Sequence, residues 1–122
     1  MSAHRILATF ALLAMFGTAQ AARVLEQPEQ GYELLLEQLT LPSSASGGVT
    51  MKRCDDCPYS THILTSATQY YVNGQILPFD ELKRIADELR GNRRALETTV
   101  AGLFIDVETG RVTRVTLLHG GR

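Results

Sequence analysis

Histidine, cysteine, methionine and charge of one sign are all scarce in this 122-residue sequence, and each scarcity removes a class of function. Beyond residue 21 only two histidines remain, His62 and His119, and no serine stands in a G-x-S-x-G elbow, which argues against a hydrolytic triad. Met51 is the sole methionine past that point, too little sulfur for soft-metal capture. Twelve basic residues face 13 acidic ones, so there is no electrostatic grip for nucleic acid or anionic lipid. Neither Asn73 nor Asn92 lies in an N-x-S/T acceptor, no internal repeat or long low-complexity tract is visible, and only one long apolar run occurs.

That run sits at the start. A short positive end carrying His4 and Arg5 precedes Ile6–Phe16, interrupted only by Thr9, and Gly17-Thr18 breaks it before Ala19-Gln20-Ala21. A basic end, a short apolar core and an A-x-A site are the parts of a cleavable secretory signal. A membrane anchor needs about 20 apolar residues, and this run has 11. No cysteine lies at the cleavage region, so lipid attachment there is excluded. The reading is a signal peptide over 1–21 and export to a periplasm, with no membrane association after cleavage. The mature chain of 101 residues carries 11 basic and 13 acidic residues and suffices for one domain.

Along that mature chain, residues 22–31 are polar, contain Pro28 and lack an apolar period, so they are read as a flexible leader before a single domain over 32–122. Tyr32, Leu35, Leu36 and Leu39 have helical spacing and point to a short helix, although Leu39-Thr40-Leu41 before Pro42 also suits a strand end. Residues 42–48 are a loop by composition, and 49–53 and 61–65 read as short strands. Gln69–Val72 and Gln75–Leu77 flank Asn73-Gly74, a pair that tolerates the positive φ of a two-residue type I′ hairpin turn. The spacing predicts a helix over 79–90 with Leu82, Ile85, Ala86 and Leu89 buried, an Asp80–Arg84 pair on the wet side, and Gly91 leaving it. A hairpin closes the chain, 99–107 and 112–118 around Glu108-Thr109-Gly110, with Thr113, Val115 and Leu117 on one face.

Strands and helix do not alternate regularly. The fold class expected is therefore α+β, an antiparallel sheet of about 5–7 short strands with one main helix packed on it. A small OB-like or half-closed barrel is the alternative. An edge of the final hairpin left uncovered would invite dimerisation.

The one motif with chemistry is Lys52-Arg53-Cys54-Asp55-Asp56-Cys57-Pro58. In an oxidising compartment the first reading of Cys54 and Cys57 is a structural disulfide pinning a turn between two strands, worth only about 2 kcal/mol for so short a loop. A thiol–disulfide redox pair is the alternative. Lys52 and Arg53 would favour a thiolate, while Asp55 and Asp56 oppose it, and no amphipathic helix follows. A metal site is the third reading; it needs His62, His119 or the aspartates to complete four ligands. A c-type haem is ruled out because Pro58, not histidine, follows Cys57.

Arg90, Arg93 and Arg94 are a candidate anion site at the end of the helix. Asp106 and Glu108 flank a turn, where polar residues are expected without acid–base work. If 69–72 is a strand, Tyr70 and Tyr71 face opposite ways and one of them lies outside the core. The functional reading is an exported, non-catalytic domain without cofactor or metal that binds an envelope protein partner. Its expected surface combines the cysteine turn and Tyr59 with the hairpin of Tyr70, Asn73 and Gly74.

Overall fold

The computed structural model describes residues 28–120; the signal segment 1–21 and residues 22–27 of the leader lie outside the described residues. The first strand, β1, runs Glu29–Leu35, so regular structure begins inside the stretch read as a leader. A 3-10 turn, Leu36–Gln38, and a two-residue strand β2, Leu39–Thr40, follow. The short helix expected over 32–39 is therefore not formed. All seven residues of β1 pair antiparallel with a later strand, and burying Leu34, Leu36 and Leu39 together suits a strand and a tight turn better than one helical face.

Next come β3 Gly48–Met51, β4 Ser60–Ile63, β5 Gln69–Val72 and β6 Gln75–Leu77. Asn73 and Gly74 close the β5–β6 hairpin with φ of 50° and 83°, the left-handed values a type I′ turn requires. Helix α1 spans Phe79–Arg90 and buries Phe79, Leu82 and Ala86, with Ile85 and Leu89 partly covered. Arg84 pairs with Glu81 and with Glu88 at 2.6 Å instead of with Asp80, because i,i+3 and i,i+4 neighbours on both sides compete for it. Gly91 has an ordinary φ of −73°, and the chain turns directly into a second helix, α2 Arg93–Thr98, which the hydrophobic pattern did not reveal. Asn92 caps it by accepting from the Ala95 amide at 3.2 Å.

Strands β7, Val100–Asp106, and β8, Val112–Leu118, form the closing hairpin. Asp106 Oδ1 accepts from the amides of Glu108 and Thr109, so this carboxylate holds the turn. A bulge leaves Thr113 without a partner between Phe104↔Arg114 and Ile105↔Val112. It shifts the alternation by one, so Val112, and not Thr113, joins Val115 and Leu117 in the core.

Two open sheets result, not a closed barrel: a five-stranded one in the order β1-β7-β8-β5-β6 and a three-stranded one, β2-β3-β4. The fold is a small α+β domain, antiparallel throughout except where β5 and β8 run parallel. The closing hairpin occupies the middle of the large sheet, with both sides paired, so it has no free edge for the dimer contact expected there. One core joins Leu39, Val49 and Met51 of the small sheet, Leu82 and Ala86 of α1, and Leu103, Val115 and Leu117 of the large sheet. Helix and small sheet thus share one face of the large sheet.

Candidate functional site

Cys54 and Cys57 form a disulfide with Cα atoms 5.0 Å apart, in the turn between β3 and β4. The Cys57 amide donates to the Cys54 carbonyl at 3.2 Å. No helix follows either cysteine, so neither sulfur faces the positive end of a helix dipole. The base of the turn is tied to the chain after β1. The Lys52 amide donates to the Gln38 carbonyl, the Gln38 side chain donates to the Arg53 carbonyl, and the Arg53 guanidinium stacks 5.2 Å from the Tyr32 ring centre. Tyr59, 71% exposed, carries Lys52 Nζ 5.1 Å from its ring centre.

The hairpin at Asn73-Gly74 is elsewhere. It joins β5 and β6 at the opposite edge of the large sheet from β1, with β7 and β8 between. The combined surface expected from the sequence is therefore not assembled. Tyr70 is 6% exposed and packs edge-on against Phe79, with ring centres 5.5 Å apart, so the outward tyrosine is Tyr71. Burial pushes the Tyr70 phenol up from its ordinary value of 10.0, with Thr68 working the other way. Asn73 has a structural duty, accepting from the His119 amide at 3.0 Å.

The three arginines also divide. Arg90 donates to the Leu39 carbonyl and so fastens the end of α1 to β2. Arg93 and Arg94 are exposed, and only Arg94 lines the concavity of about 640 Å³ shared with Glu88, Asn92, Thr98 and His119. Several polar groups there are turned inward: Thr98 donates to the Arg94 carbonyl and Asn92 caps α2. Among the described residues no three of His, Cys, Asp and Glu come together to hold a metal ion. His62 Nδ1 lies 3.1 Å from the Gly110 carbonyl oxygen.

The surface that remains is the side of the large sheet turned away from the core. Residues in register on adjacent strands share a face. Leu35, Val100 and Leu118 make one row across β1, β7 and β8. Glu33, Gly102, Thr116, Tyr71 and Ile76 make the next row, which reaches β6. Leu118 and Ile76 are 56% and 57% exposed. A mostly apolar groove of about 270 Å³ runs among Tyr71, Gly74, Arg114, Thr116 and Leu118. Farther along, Phe104 lies flat over two glycines, where a Cβ on Gly31 would sit 2.8 Å and one on Gly102 3.2 Å from its ring. The Arg114 guanidinium covers that ring at 3.9 Å and pairs with Glu29 at 3.4 Å, while Thr113 donates to the same carboxylate at 2.6 Å.

One end of this face is thus latched by its own residues and the other presents bare aliphatic and aromatic groups. The alternation along β7 and β8 held that information, but only once the strand order was known. No protein-family model matches the chain, and neither a curated protein nor a solved structure does.

Proposed function

We propose that the mature chain is an exported, non-catalytic binding domain that takes an envelope protein partner on the open face of its five-stranded sheet, with Cys54–Cys57 as a structural disulfide. The observation that carries this reading is the asymmetry of the sheet. Its inner face is covered by α1 and the small sheet, while on the outer one Leu118 and Tyr71 line a groove and exposed Ile76 lies in register with Tyr71. Contiguous exposed apolar surface rimmed by polar groups marks interaction sites. A groove of about 270 Å³ falls at the lower limit for small-molecule pockets, which favours a protein surface over a metabolite. Export rests on the signal over residues 1–21.

The test is capture of envelope proteins by the mature domain, set beside the double variant Ile76→Lys/Leu118→Lys. A partner retained by the native domain and lost by the folded variant supports the reading. Equal retention by both overturns it, as does recovery of the unprocessed chain from the cytosol.

The thiol–disulfide reading keeps one observation in its favour, the exposure of Cys54. Redox titration with alkylation separates the two: a potential well below the glutathione range marks a structural bridge, and a readily reduced pair a reactive one.

A further inference from the structure

We infer that the outer edge of β1 accepts an extended, basic segment of the partner as an added strand. This deepens the binding reading and rests on it. Two hydrogen bonds bracket β1 and fix which backbone groups look outward. The Val107 amide donates to the Pro28 carbonyl, and the Leu36 amide donates to the Thr99 carbonyl. Residues 28 and 36 both face β7, so by the alternation of an antiparallel ladder the even-numbered residues bond inward. The N–H and C=O groups of Glu29, Gly31, Glu33 and Leu35 point away from β7. The Leu35 amide confirms this parity, since it donates to Gln38 Oε1 at 2.8 Å, which closes that end of the edge.

Along Glu29–Glu33, among the described residues, no strand covers the edge. Three common guards of a free edge are absent as well: β1 holds no proline, no lysine and no bulge of its own, and the charges it carries, Glu29 and Glu33, are both acidic. An exposed edge is the template used in strand addition, where main-chain bonds supply affinity and alternate side chains supply choice.

Charge decides the occupant. On the open face Glu29 is engaged by Arg114 and Thr113, whereas Glu33 is exposed and, among the described residues, has no ion pair. An added strand therefore gains from Lys or Arg opposite Glu33. Its other face meets Arg53 stacked on Tyr32, where further positive charge is repelled. The preferred segment alternates basic with neutral residues. A second copy of this chain fits poorly. Antiparallel self-pairing centred on Gly31 sets Glu33 against Glu29, and pairing centred on Glu33 sets it against itself. The register centred on Tyr32 uses the Leu35 amide that Gln38 already holds.

The experiment is an NMR titration of the mature domain with a capped seven-residue peptide alternating lysine and threonine, against one alternating glutamate and threonine. Expected are shifts and slowed exchange at the amides of Glu29, Gly31 and Glu33, with the acidic peptide at least about tenfold weaker. Glu33→Pro removes an outward N–H without touching the β7 ladder, so it keeps the fold and loses the peptide. Glu33→Lys should reverse the preference between the two peptides. Silence at these three amides, equal affinity for both peptides, or a β1-protected homodimer would overturn the inference. So would shifts confined to Tyr71, Ile76 and Leu118, an outcome that leaves the open-face reading intact. Failure of that reading is seen separately, in the Ile76→Lys/Leu118→Lys capture.

Discussion

The Tyr70 hydroxyl is buried with Thr68 as its polar neighbour but without a hydrogen bond of good geometry, and a buried polar group so poorly satisfied costs stability. Tyr70→Phe keeps the edge-on contact with Phe79 and removes the poorly satisfied oxygen. Denaturant unfolding of the variant near pH 7 should show anything from no change to a gain of up to about 1 kcal/mol. The pH dependence has a definite sign. Burial holds the folded phenol above its ordinary 10.0, so above that pH the unfolded chain releases its proton first. Stability should therefore fall as pH rises through and beyond 10.0, and Tyr70→Phe should flatten that fall. A loss of stability in the variant at neutral pH, or an unchanged slope above 10.0, would contradict the assignment of Tyr70 to the core. The sequence told that Tyr70 and Tyr71 part company, but not which one goes inside. That choice depends on the parallel pairing of β5 with β8, which sets Tyr70 beside buried Val115.

At the scale of elements, local chemistry was readable and long-range pairing was not. The Asn73-Gly74 turn, the apolar stripe of α1 and the Glu108–Gly110 loop all follow from residue types acting within a few positions. The helical spacing of Tyr32, Leu35, Leu36 and Leu39 misled, because seven ladder pairs with β7 outweigh it. The α2 helix was signalled only by Asn92 ahead of Arg93-Arg94-Ala95-Leu96, a cap without a buried face, since none of its residues is fully buried. The bulge at Thr113 left no mark in the sequence.

Two element-scale predictions follow from contacts seen in the fold. Arg90 bonds a carbonyl of β2, so Arg90→Ala should cost about 1.5–3 kcal/mol in thermal or chemical unfolding. Arg93→Ala, at an exposed position, should stay within about 0.5 kcal/mol. Similar losses in both would show that the arginines act together. For the disulfide, Cys54→Ser/Cys57→Ser should lose no more than about 2 kcal/mol and keep its far-UV spectrum, because the closed loop is short. Complete unfolding of that double variant would mean that the bridge holds more of the domain than its own turn.

At the scale of the molecule, the fold class was legible and the candidate surface was not. Strands, one main helix, then more strands point to an α+β layer structure from their order alone. The surface depends on which strands end up side by side. The sequence places Cys54 and Tyr70 16 residues apart, yet the cysteine turn belongs to the small sheet and is tied beside β1, while the strand of Tyr70 lies toward the opposite edge of the large sheet. It also brings Leu35 into a row with Leu118, 83 positions away in the chain.

Partner binding is proposed on this open face, at Leu118 in that row and at Tyr71 and Ile76 in the next. A photo-crosslinking amino acid at Ile76, at Leu118 and, as the comparison, at Asp55 in the cysteine turn tests the location in intact cells. One adduct shared by Ile76 and Leu118, and none from Asp55, is expected. An adduct from Asp55 alone, or from none of the three, would contradict it.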